Sequence, residues 1–242
     1  MIAMDSPSLS SEERRALDGL AVDLGRVFGT RLHSLAAYGL NVPAPPPRLV
    51  HSIALVELLA FNDLTQCAPL VSAWRRNTLA VPLILEREEF LRTLDVFPLE
   101  YGDIIAHHVI VAGSDLFTGA RVSPDDVRRA CELGAKSHLI HLREGFLETG
   151  GNPQATARMI SASAAPFRAL LANIARLADD HDADVAATAE RQIGISASVV
   201  RDVMAAGAGN NSTITDPTAL LSSYIAAAEK VWEFVDTWRA RA

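Results

Sequence analysis

The side chains of this chain best suited to acid–base or metal chemistry are its histidines, and four of the seven fall into two close pairs. His107 and His108 are adjacent and follow Glu100 and Asp103 in the segment EYGDIIAHH. His138 and His141 are three apart in a helical stretch, on neighbouring positions of one face. Asp103, His107, His138 and His141 are therefore the candidate catalytic residues, as a metal or acid–base site between that segment and the long helix. The alternative is ordinary hydrogen bonding at a domain junction. It is preferred, because two His at i, i+3 without a third ligand arise often by chance. Cys131 lies seven residues before His138. Two helical turns separate such residues by about 10 Å along the axis, too far for a thiol and its base.

Other groups carry weaker signals. Glu86, Glu88 and Glu89 follow a short apolar run and fit a helix start, where acids meet the positive end of the dipole. Glu86 could otherwise stand near the place of a catalytic acid. Arg75 and Arg76 follow Trp74 and could grip an anion, or simply end a solvated helix. The glycine-rich AGAGNNS at 206–212 follows a helix rather than a strand and makes a poor phosphate loop.

The elements that must position these groups follow from periodicity and caps. Ser10 and Glu13 form a capping-box pattern, and Leu17, Leu20, Leu24 and Phe28 follow at helical spacing, which predicts a helix over about 11–28. Strands are expected at 32–38, 49–57, 81–86 and roughly 106–112. The four prolines of NVPAPPPR mark a loop between the first two. Leu64 to Trp74 reads as an amphipathic helix that Pro69 must kink, or whose true start it sets. A short helix is expected at REEFLRTLD. Ser123-Pro124-Asp125-Asp126 opens a long helix to about Glu148. Helices are then expected at 153–179, 183–192, 196–206 and 216–240, with no further strand. The sequence thus predicts an α+β chain, with a mixed sheet and flanking helices over 1–122 and an all-α bundle over 123–242.

Composition narrows the function. The chain has 242 residues, is 49% hydrophobic and carries a net charge of −7. That charge argues against broad binding to nucleic-acid phosphates. Cys67 and Cys131 read as free thiols in a reducing compartment, and no Cys/His spacing suggests zinc. The opening residues lack a basic segment followed by a long apolar one, and no apolar run reaches the roughly 18–20 residues of a membrane span. A cytoplasmic protein without membrane contact is expected.

The segments LAAYGLN, SIALVEL, PLILEREEFLRTLDVFPLEYGDI, HHVIVAGSDLF and LIHLREGFL resemble a nucleotidyltransferase-fold protein with a C-terminal helical bundle, laid out like the aminoglycoside nucleotidyltransferases. The resemblance covers nearly the whole chain as an order of elements. It implies that residues 1–122 are the nucleotidyltransferase-like domain. In active members of such a family the first strand ends in Gly-Ser and the second carries Asp-x-Asp. Residues i and i+2 of a strand share a face, so the two carboxylates hold the Mg²⁺ ions that bridge the nucleotide phosphates. Here the glycine is Gly39, but the serine position is Leu40. The best alignment puts Ser52 and Ala54 at the acid positions, and a shift by one gives His51 and Ile53. The first acid downstream is Glu57, at the strand end.

The resemblance therefore implies the fold without metal-dependent nucleotidyl transfer. It implies a repurposed or non-catalytic protein with a degenerate site, no metal and no cofactor, that binds a small molecule or nucleotide, or a protein partner or second copy. Gly39, Leu40, Ser52, Ala54, Lys136 and Arg143 are the candidate ligand-binding residues of an interdomain cleft, by position. An Asp four residues before a His fits the family block, which makes Asp103 and His107 a candidate retained pair. Two alternatives stay open: an enzyme of another reaction class using the Asp and His groups, and an active nucleotidyltransferase with atypical ligands.

Overall fold

The computed structural model describes residues 9–40, 49–178, 184–209 and 214–239. The chain divides into two compact units, Met1–Val122 and Ser123–Ala242.

The first unit is built on four strands, β1 (Leu32–Tyr38), β2 (His51–Val56), β3 (Leu83–Glu86) and β4 (Val109–Gly113), in the order β3-β2-β1-β4. β1 is antiparallel to both β2 and β4, whereas β2 and β3 run parallel, so the sheet is mixed. Pleating sends alternate side chains to opposite faces, and both faces of the central strands are covered. Leu35 and Ala37 of β1 and Ala54 and Val56 of β2 pack against helix α1 (Ser11–Phe28), through Leu17, Leu20, Leu24 and Phe28. Ala36, Ile53 and Leu55 face the other way, against Phe90 of helix α4 (Arg87–Arg92) and Tyr101 and Ile104 of helix α5 (Pro98–Ala106), with Phe117. The long α1 is fixed at its start by the Ser10–Glu13 capping box.

Two local expectations need correction. Leu64 to Trp74 is neither one kinked helix nor a helix that starts at Pro69. Pro69 sits in a 3₁₀ turn, Ala68–Leu70, between helices α2 (Phe61–Cys67) and α3 (Val71–Arg76), because proline cannot supply the amide a continuous helix needs. The stretch before the fourth strand, where no helix is expected, holds α5, and β4 starts at Val109 rather than near 106. Gly102 and the β-branched Ile104 and Ile105 weaken intrinsic helix preference, but burial of Tyr101 and Ile104 at i, i+3 overrides it.

The second unit is helical: α6 (Pro124–Glu148), α7 (Pro153–Leu177), α8 (Val185–Ile193), α9 (Ala197–Gly207) and α10 (Pro217–Thr237). Three of these starts repeat one device, a capping side chain followed by proline at the first helical position: Ser123-Pro124, Asn152-Pro153 and Asp216-Pro217. α7 packs against α6, α8, α9 and α10. Its contact with α9 is close, since a Cβ on Gly207 would fall 2.5 Å from the Ala164 methyl. No helix among the described residues is long and apolar enough to cross a membrane.

Candidate functional site

β1 ends at Tyr38 and turns at Gly39, which takes φ +68. A left-handed backbone is cheap for glycine and strained for other residues. Among the described residues, nothing lies within 4 Å of where a Cβ on Gly39 would stand. Leu40 follows and lays its side chain against the α1-side core, so it supplies no hydroxyl to the turn.

Ser52 and Ala54 do not line an opening. Their register partners are Ala37 and Leu35, on the α1 face, and they are only 1% and 0% exposed. Among the described residues the Ser52 Oγ has no hydrogen-bond partner. The expected ligand-facing role of this pair does not sit with that placement, because α1 would have to leave the sheet before a ligand reached them. The one-residue shift fares differently on each side chain: Ile53 is buried beneath the α4–α5 core, while His51 is exposed.

The polar groups that do gather near the turn are Tyr38, His51, Asp103 and His107. Tyr38 and His51 are register partners with ring centroids 5.8 Å apart. Asp103 and His107 stand one helical turn apart at the end of α5, with Oδ1 and Nδ1 3.2 Å apart. Burial pushes the Tyr38 phenol up, and the Asp103 carboxylate adds to that shift. The carboxylate that engages His107 thus also disfavours ionisation of the Tyr38 phenol. A carboxylate that orients an imidazole leaves the other ring nitrogen to exchange a proton with a ligand. His107 and Asp103 side chains are about one-third exposed, so that nitrogen is within reach of solvent.

His108, next in sequence, does something else. Its Nδ1 lies 2.9 Å from the Ile104 carbonyl and its Nε2 3.3 Å from Asp115, which also accepts the amides of Phe117 and Thr118. It ties the end of α5 to the loop after β4 and packs on Phe117.

At the positions that the resemblance aligns with the family's acids, the side chains do not fit Mg²⁺. Divalent cations of this kind take hard carboxylate oxygens, and positions 40, 52 and 54, or 51 and 53, offer leucine, serine, alanine, histidine and isoleucine. Glu86, at the end of β3, accepts the Leu59 amide at 3.0 Å and sits at the start of α4. Among the described residues no group of three or more His, Cys, Asp or Glu side chains could hold a metal ion.

His138, His141, Lys136 and Arg143 belong to the helical unit and are partnered there. His138 stacks on Phe167 at 5.3 Å, and its Nε2 lies 2.7 Å from the Tyr224 hydroxyl. Burial drives its pKa down to about 4, with His141 adding a smaller push, so it is a neutral packing residue near neutral pH. His141 is exposed, 3.3 Å from the Ser137 hydroxyl. The Lys136 ammonium lies 3.5 Å from the centre of the Trp232 ring. Arg143 pairs with Glu229 at 2.5 Å. Burial pushes the Cys131 thiol up to about 12, which removes it as a nucleophile. Sequence reasoning did not single out Tyr38, and it met His51 only as a one-residue shift of the aligned acid positions. Their pairing is set by the β1–β2 register, which the long connection after Gly39 does not encode locally.

No family model and no curated protein matches the sequence. The fold does have a solved counterpart. The chain is similar to spectinomycin adenyltransferase AAD(9) from Enterococcus faecialis, whose structure holds ATP and spectinomycin, with a TM-score of 0.56 and 11% sequence identity. The match covers 90% of this chain and 98% of that one. At that identity the likeness speaks for architecture: this is an α+β, nucleotidyltransferase-like fold of mixed sheet and helical C-terminal region.

Proposed function

We propose that this protein is a repurposed, non-catalytic member of the nucleotidyltransferase-like fold that binds a small ligand without Mg²⁺. The observation that carries the reading is the identity of the residues after β1 and along β2. Where metal-dependent transfer requires carboxylates, the chain has Leu40, Ser52 and Ala54, and the last two are sealed under α1. The ligand site is the end of the sheet at Gly39, walled by Tyr38, His51, Asp103 and His107. The counterpart fold was solved with ATP, so nucleotides are the first ligands to test.

A second reading rests on the 3.2 Å contact between Asp103 and His107. A carboxylate-oriented imidazole beside a protonated phenol is an acid–base arrangement, and it supports proton transfer to or from a bound ligand. In that case the protein is an enzyme of a different reaction class at the same site.

The test is a thermal-shift titration with ATP, GTP, CTP and UTP, each with Mg²⁺ and with EDTA. A ligand that binds only the folded state raises its stability. A shift of equal size in both conditions supports the proposal. A shift that requires Mg²⁺ contradicts it. No shift with any nucleotide removes nucleotides as the ligand class.

A further inference from the structure

Away from the Gly39 turn, a cleft of about 330 Å³ lies between α1 and the turn that follows α3. That volume is at the lower end of small-molecule sites, roughly 300–1,000 Å³. One wall is a single face of α1, on which Arg15, Gly19 and Asp23 recur at every fourth residue. The other is Trp74, Arg76 and Thr78.

The walls are tied together. The buried Trp74 donates its indole N–H to Asp23 at 3.0 Å, and Asp23 also accepts from Arg26 at 3.2 Å. Its charge is therefore spent on the frame. The two guanidinium groups in the cleft are not spent. Among the described residues Arg15 and Arg76 have no ion-pair partner, whereas their neighbours Arg14 and Arg26 are paired with Asp18 and Asp23.

The backbone supplies an independent sign. Thr78 has φ +60, and among the described residues it is the single non-glycine with positive φ. For a β-branched residue this is a strained conformation. It is held because the Thr78 amide donates to Arg75 O at 3.1 Å and the Thr78 carbonyl accepts from Val50 at 2.8 Å. Such strain clusters at ligand sites, and this instance lies in the wall of the cleft.

We infer that the cleft binds a small molecule carrying one carboxylate or phosphate group, gripped by Arg15 and Arg76. A guanidinium fork matches either oxyanion. Glu12 lines the same cleft and repels a second anionic group, so the ligand is a monoanionic or single-phosphate compound rather than a nucleoside triphosphate. The site is thus separate from the one at Gly39, and either can fail without the other.

Phenylglyoxal labelling of the full chain, read by mass spectrometry, tests it with inorganic phosphate and with acetate against sodium chloride at equal ionic strength. The expected result is at least a threefold slower reaction at Arg15 and Arg76 with one or both anions, and no change at Arg14 and Arg26. Equal protection of all four arginines, or none at Arg15 and Arg76, overturns the inference. In parallel, the phosphate-dependent rise in melting temperature should vanish in an Arg15→Gln/Arg76→Gln double variant and persist in Arg14→Gln. Its persistence in the double variant also overturns the inference, and if that variant does not fold the wild-type labelling decides.

Discussion

Tyr38 and His51 face each other across β1 and β2 as register partners, with their rings 5.8 Å apart, at the strand ends beside the Gly39 turn. An aromatic pair beside a carboxylate–imidazole contact can hold a ligand by stacking and hydrogen bonding, which is the mode of binding proposed for this end of the sheet.

Ser52 is a core residue whose hydroxyl has no hydrogen-bond partner among the described residues. Removing a buried, unpartnered polar group relieves its desolvation cost. Ser52→Ala should therefore stabilise the chain by about 1 kcal/mol in urea denaturation. Ser52→Asp, the apparent repair of the missing acid, should instead cost at least ~3 kcal/mol, as a buried unpaired carboxylate. It should restore no activity.

Gly113 ends β4 with φ +78, and a Cβ there would lie 2.1 Å from the His33 carbonyl oxygen. Gly113→Ala should cost roughly 2–4 kcal/mol, from backbone strain and overpacking together. Denaturation of the variant beside Gly39→Ala, which meets strain but no clash among the described residues, separates the two contributions.

His138 gives the helical unit a pH dependence. Its pKa is depressed to about 4 in the fold against 6.5 when unfolded. Between those values the unfolded chain binds a proton that the folded chain does not, so stability rises with pH. The contribution is complete above pH 6.5 and falls away as the pH drops towards 4, by on the order of 2–3 kcal/mol. Denaturation midpoints at pH 7 and pH 4.5 should show the loss, and His138→Phe, which keeps the stack on Phe167, should show less of it.

Much of this architecture was legible in the residues. The capping box at Ser10, the cap-proline pairs before α6, α7 and α10, and the short apolar runs of β1 and β2 each encode their element locally. What stayed hidden was tertiary. α5 forms because Tyr101 and Ile104 find Phe90 and Phe117, and no local pattern announces those partners. The face on which Ser52 lies depends on where α1 packs, so alignment alone could not show that the aligned acid positions are sealed. His138 and His141 looked like a pair by spacing, yet one is half-buried against Phe167 and Tyr224 and the other is exposed, because helical neighbours three apart need not share an environment.

The central claim is ligand binding at the Gly39 end of the sheet without a metal. The most direct measurement is calorimetric titration of ATP into the wild type and into a Tyr38→Phe/His51→Ala variant, each in Mg²⁺ and in EDTA, with pyrophosphate release followed in the same samples. The account predicts equal affinity with and without Mg²⁺, at least tenfold weaker binding in the variant, and no pyrophosphate. Binding or pyrophosphate release that appears only with Mg²⁺, and survives in the variant, would contradict it.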